Sequence, residues 1–144
     1  MKFISTATIL FVQFFSSARA EDTGSLMGPI FNISTRTCDV DHGGTDDDVF
    51  ITIYVKKGGN KFSFTRELDN PGINDFEEGS LDRFVLTSGG KTMDQITGIV
   101  VKLRGDDGWC MLEVDIEHSG NSYSFYYNGW LDDDGQTGVL TPDN

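Results

Sequence analysis

Gly43-Gly44-Thr45-Asp46-Asp47-Asp48-Val49-Phe50-Ile51-Thr52-Ile53-Tyr54-Val55 decides the fold, because its two halves obey different rules. The second half alternates. Val49, Ile51, Ile53 and Val55 fall on one side of an extended chain; Phe50, Thr52 and Tyr54 fall on the other. A period of two in β-branched and aromatic residues is the mark of a strand. The first half is a turn: two glycines give backbone freedom and three carboxylates follow in a row. Adjacent carboxylates repel, and a hard cation held by oxygen ligands relieves that repulsion. A solvated acidic loop at a strand end is the other reading of the same residues.

The same alternation recurs outward from this stretch. Strands are predicted over 35–41, 49–57, 61–68, 84–87, 96–103, 109–117 and 123–128, with Trp130-Leu131 closing the domain. On the last long strand Cys110, Leu112, Val114 and Ile116 alternate against Trp109, Met111, Glu113 and Asp115. Gly58-Gly59-Asn60, Asp69-Asn70-Pro71-Gly72, Ser88-Gly89-Gly90-Lys91, Gly105-Asp106-Asp107-Gly108 and Ser119-Gly120-Asn121 are turns. Seven or eight short strands without a sustained helical period predict an all-β antiparallel sandwich, its core between two sheets.

The chain has 144 residues, enough for one domain. Residues 1–20 have the form of a secretory signal peptide: Lys2, an apolar run from Ile4 to Phe15, then Ala18-Arg19-Ala20. That run is too short to span a bilayer and no second one follows, so a secreted, non-transmembrane protein is expected. Residues 21–33 read as an N-terminal arm, 34–131 as the sandwich, and 132–144 as an acidic flexible tail. Removing Lys2 and Arg19 from 11 basic residues, against 23 acidic ones, leaves a mature charge of −14. Such a charge disfavours nucleic acid and, unaided, anionic lipid. Cys38 and Cys110 are expected to pair in an oxidising compartment. Asn32-Ile33-Ser34 is an N-glycosylation sequon.

Four pieces then fall in order: Gly44-Thr45-Asp46-x-Asp48-Val49 leading into Ile51-x-Ile53-Tyr54; Phe76-Glu77-x-Gly79-x-x-Asp82-x-Phe84; Ile96-x-x-Ile99; and Gly108-Trp109-x-x-x-x-Val114. Together they resemble the PLAT domain, also called LH2 or lipoxygenase homology domain. Phe125 and Trp130-Leu131 sit where that family often ends, and Cys38 and Cys110 look like the cysteines of its secreted single-domain members. There are departures: Glu78 replaces a usual basic residue, Asp47 a usual alanine, and Asp107 a common proline. All three add acid to the loops. The resemblance implies an eight-stranded β-sandwich whose loops at one end bind calcium, touch membranes or engage a partner protein, with no chemistry of its own.

Calcium takes six to eight oxygens, which loops at one end of a sandwich can pool. The candidates are the Gly44 carbonyl, Asp46 and Asp48; Asn74, Asp75 and Glu77; and Asp106 and Asp107. Ca2+ is therefore the expected cofactor. An EF-hand is excluded, because the loop that opens at Asp39 has Phe50 in the twelfth place. Ile73, Phe76, Met93 and Trp109 are candidates for lipid contact, although Phe76 and Trp109 match family positions that more often pack inward. Enzymatic function is not expected: there is no Gly-x-Ser-x-Gly, and His42 and His118 are the only histidines. The function read from the sequence is calcium-assisted association with a lipid or membrane surface. The alternative is an extracellular protein-interaction or carbohydrate-facing module.

Overall fold

The computed structural model describes residues 28–90 and 92–143. The expected leader and residues 21–27 of the expected arm lie outside these. The strands are β1 (Ile30–Thr37), β2 (Asp48–Lys57), β3 (Asn60–Leu68), β4 (Leu81–Thr87), β5 (Gln95–Arg104), β6 (Trp109–His118) and β7 (Asn121–Leu131). They form a four-stranded sheet in the order β4-β1-β6-β7 and a three-stranded sheet in the order β3-β2-β5, with every pairing antiparallel. The alternation of β2 carries through: Val49, Ile51, Ile53 and Val55 are buried. They meet Ile99, Val101 and Leu103 from β5 and Phe31, Val114, Ile116 and Phe125 from the facing sheet in one core.

Three features differ from the sequence reading. The first strand begins at Ile30 and ends at Thr37, not at Asp41. Its inward residues are Phe31, Ile33, Thr35 and Thr37, and the two buried threonines break up the apolar signal. The second difference is in β6, where Trp109 and Met111 are fully buried and Leu112 is not. Against β1, the neighbouring Arg36 and Thr37 pair with Glu113 and Met111, which leaves Leu112 as an extra residue on β6. One extra residue at a bulge moves everything before it to the other face.

The third is the strand count, seven instead of eight, and it has one cause with the fate of residues 132–143. These residues, read above as a flexible tail, run back along the free edge of β5. Leu140 bridges Ile99 and Gln136 bridges Lys102. The Leu103 N–H donates to the Gly135 carbonyl at 2.8 Å and the Thr137 N–H to the Val101 carbonyl at 2.9 Å. An edge strand leaves unpaired backbone groups, and covering them satisfies both partners. The cover is broken into isolated bridges, so it occupies the place of an eighth strand without being one.

The order of strands puts the connections 38–47, 69–80 and 105–108, and the exit from β7, at one end of the sandwich. The turns 58–59 and 119–120 and the link from β4 to β5 lie at the other. Cys38 and Cys110 form a disulfide at the loop end, with their Cα atoms 5.4 Å apart and a sequence separation of 72. On the chain-entropy account such a closure stabilises the fold by about 4 kcal/mol.

Candidate metal-binding rim

The loop end is built from backbone bonds that cross between loops. The Thr45 N–H donates to the Phe76 carbonyl at 3.1 Å, and the Cys110 N–H to the Gly43 carbonyl at 2.9 Å. Thr45, itself buried, donates its hydroxyl to the Asp107 carbonyl at 2.7 Å. The Asp46 N–H donates to Asp107 Oδ2 at 3.0 Å, and the Asp107 N–H to Asp47 Oδ2 at 2.6 Å. Gly44 makes this approach possible: a Cβ there would stand 2.8 Å from the Phe76 carbonyl oxygen. The first and third loops are thus tied carboxylate to amide, and the first and second backbone to backbone.

The second loop is held from within. Asp75 is buried and accepts from the Asn70 N–H at 2.7 Å and the Asn70 Nδ2 at 2.8 Å. Asp82 accepts from the Phe76 N–H at 2.9 Å and the Ser80 hydroxyl at 2.6 Å. Asn74 Nδ2 donates to Glu77 Oε1. Phe76 takes a φ of 62° and drives its ring inward, 5.0 Å from Trp109 and 5.5 Å from Phe84. A non-glycine residue in that region costs about 1–3 kcal/mol, which the buried ring offsets.

The predicted ligands fall in two groups with one member in common. Asp46, Asp48, Asn74 and Asp75 line a polar cavity of about 120 Å³ between the first two loops, joined there by Asp69. Gly44, Asp46, Glu77 and Asp107 line a second of about 250 Å³, with Asp41 and Glu78. Asp46 stands between the two. Asp106 is exposed at the same end but lines neither. Several of these carboxylates already hold protein partners, namely Asp75, Asp107 and Glu77. Among the described residues no three His, Cys, Asp or Glu side chains are grouped so as to hold a metal ion unaided. The donor set is nevertheless all oxygen, which suits a hard cation.

Sequence reasoning missed Asp132, Asp133 and Asp134. The Asp134 N–H donates to the Gly105 carbonyl at 2.8 Å, and Asp134 Oδ1 accepts from the Gly105 N–H at 2.9 Å. The exit from β7 is therefore a fourth acidic segment of the rim, and its run of three aspartates was the available signal. Arg104 offers partial compensation: it faces Asp48 across the β2–β5 pair, with its guanidinium 4.6 Å from the centre of the Phe50 ring.

Of the lipid-contact candidates, Ile73 alone stands in solvent, 64% exposed at the tip of the second loop. Phe76, Met93 and Trp109 are core residues. The Trp109 indole N–H is further tied to Thr37 Oγ1 at 3.0 Å, and Met93 lies in a connection at the opposite end. Reaching lipid would require each of these three to leave the core. Val40, exposed in the first loop, is an apolar neighbour that the sequence did not single out.

Likenesses to known proteins bear on this arrangement. The family model of the PLAT/LH2 domain matches residues 31–141. The human Lipoxygenase homology domain-containing protein 1 is 37% identical over 117 residues, covering 76% of this chain and 5% of that protein. A solved coral 8R-lipoxygenase, described as activated by calcium through a C2-like domain, is 30% identical with a TM-score of 0.69, over 80% of this chain and 17% of that one. A calcium-dependent 11R-lipoxygenase is 26% identical with a TM-score of 0.54, over 79% of this chain and 17% of that one. The chain therefore spans only a small part of each relative.

Proposed function

Because the chain belongs to the PLAT/LH2 domain family, we propose that it is a secreted, non-catalytic binding module that associates with lipid surfaces with the help of Ca2+ at the acidic rim. One observation carries the reading. Carboxylates far apart in the sequence converge at one end, with Asp46 in the wall of two polar cavities and Ile73 exposed beside them. Asp46, Asp48, Asp69, Asn74 and Asp75 would hold the ion in the first cavity. The Gly44 carbonyl, Asp46, Glu77 and Asp107 would hold it in the second. A bound divalent ion supplies positive charge, which offsets the self-repulsion of the rim and lets it approach anionic headgroups. Ile73 then enters the interface as an apolar contact. The calcium activation described for the coral lipoxygenase supports the same assignment. The disulfide supports an oxidising, extracellular setting, and it leaves neither cysteine as a thiol nucleophile.

Two measurements test this together. Thermal unfolding with calcium and with chelator should show stabilisation by calcium, about 2.7 kcal/mol at a hundredfold excess over Kd. Sedimentation with phosphatidylserine vesicles should show calcium-dependent pelleting. Asp46→Asn should abolish both effects. No calcium-dependent shift and no pelleting would overturn the reading and favour an extracellular protein-interaction module.

A further inference from the structure

The outer face of the four-stranded sheet carries a recess of its own, unrelated to the rim. On β1 the residues Phe31, Ile33, Thr35 and Thr37 turn inward, while Asn32, Ser34 and Arg36 turn outward. β1 is an inner strand, flanked by β4 and β6. Asn32 therefore faces Val85 on one side and Glu117 on the other, and Ser34 faces Arg83 and Asp115. On β7, Ser122 continues the first row and Ser124 the second, with the Ser124 hydroxyl donating to Asp115 Oδ1 at 2.6 Å. These rows enclose an open recess of about 500 Å³ centred on the Asn32-Ile33-Ser34 sequon.

We propose that Asn32 carries an N-linked glycan and that the first sugars lie in this recess. The sequon supplies the acceptor amide and, two residues on, the hydroxyl. An extended chain puts both on one face, and here that face is the solvent side. The amide is exposed, so a bulky substituent displaces no core residue on folding. A polar outer face is ordinary for an antiparallel sheet. What distinguishes this one is the mixture around the acceptor. The Arg83 guanidinium donates, the carboxylates of Asp115 and Glu117 accept, and Ser122 and Ser124 do both. Sugar hydroxyls and the acetamido group need that combination, and the exposed Val85 side chain offers an apolar contact for the acetyl methyl.

In the modification, Asn32 Nδ2 forms a bond to the anomeric carbon of an oligosaccharide carried on a polyprenyl pyrophosphate. The bond from that carbon to the phosphate oxygen breaks, the pyrophosphate leaves with the electron pair, and the amide gives up one proton. Asn32 lies five residues before Thr37, so the glycan sits about 17 Å from the loop end along the strand. It covers the sheet face and leaves the acidic rim open.

The test uses the full chain expressed in secreting insect cells. Peptide mass spectrometry should find the Asn32 peptide carrying hexose and N-acetylhexosamine, with conversion of Asn32 to Asp when a peptide N-glycosidase releases the sugar. Asn32→Gln and Ser34→Ala should both lose the sugar, and Ser34→Thr should keep it. Seating in the recess predicts slow enzymatic release from the native protein and fast release after denaturation. Asp115→Ala combined with Glu117→Ala should keep the glycan but release it at least severalfold faster from the native protein. An unmodified Asn32 peptide, whether the chain is secreted or retained, overturns the modification. Equal native release from the unsubstituted chain and the double variant overturns the seating.

Discussion

The two ends of the sandwich solve the same problem, that of turning a strand back on itself, in opposite ways. At the turn end the connections are short, and residues with positive φ are mostly glycines: Gly58, Gly89, Gly90 and Gly120. Exposed Lys56, Lys57 and Lys61 stand there. At the loop end the connections 38–47 and 69–80 are long, and His42, Phe76, Asp133 and Asp134 also take positive φ without being glycine. Acidic residues crowd it, and amides and carboxylates bond from one loop to the next. The turn end closes at little conformational cost. The loop end is held in an unfavourable shape and charge pattern by the rest of the fold, which is the usual condition of a site.

The largest expected effect comes from the tie that holds the loop end. Replacing Cys38 and Cys110 with serine should lower unfolding free energy by about 4 kcal/mol, measured by urea denaturation. Native-state hydrogen exchange should show where the loss falls. Amides of Thr45, Asp46 and Asp107 should lose protection before those of the β2–β3 hairpin. Uniform loss across both ends would mean that the loop end is no more strained than the turns.

A smaller contrast compares two glycines. A Cβ at Gly105 would stand 2.1 Å from the Asp47 carboxyl carbon, at a φ of 139°. Asp47 cannot swing aside without releasing the Asp107 N–H. Gly105→Ala should therefore cost about 2 kcal/mol or more. Gly58, at a φ of 57° with nothing within 4 Å of an added Cβ, should cost about 1 kcal/mol on the same change. Combining Gly105→Ala with Asp47→Ala should recover part of the loss, a coupling read from a double-mutant cycle. Additive losses would show that backbone conformation, and not the carboxylate, sets the cost.

How far the sequence could be read follows the same division. β2 was legible because its apolar residues alternate without interruption; β3 kept enough of the pattern in Phe62, Phe64 and Leu68 despite Arg66 in the same row, and β5 kept it in Ile99, Val101 and Leu103. β1 was displaced because Thr35 and Thr37 occupy core positions with polar side chains. The bulge at Leu112 reversed the expected faces of Trp109 and Met111, since a register shift leaves no mark in composition. The segment after Leu131 is held largely through its backbone to β5, and backbone bonding has no side-chain signature. At the rim, the acids and the family pattern were visible. Which carboxylates also hold loop amides was not: Asp75 and Asp47 do so, and only distances reveal that.

The smallest expected change in stability gives the sharpest test of the contrast in function. Ile73 is 64% exposed at the loop end, and Val85 is 69% exposed on the sheet face. Neither contributes much to the core, so Ile73→Ser and Val85→Ser should each alter stability by no more than about 0.5 kcal/mol. General stickiness would make the two changes about equally damaging for vesicle binding, because the two residues are exposed to a similar extent. Contact through the loop end predicts a clear difference. Burying an isoleucine in the interface is worth about 1.5–3 kcal/mol, so Ile73→Ser should weaken calcium-dependent partitioning about tenfold or more. Val85→Ser, measured on protein made in bacteria so that no sugar covers the sheet, should leave it unchanged. If the two variants lose binding equally, lipid does not distinguish the two regions, and the strain and charge gathered around Asp46 must serve some other partner.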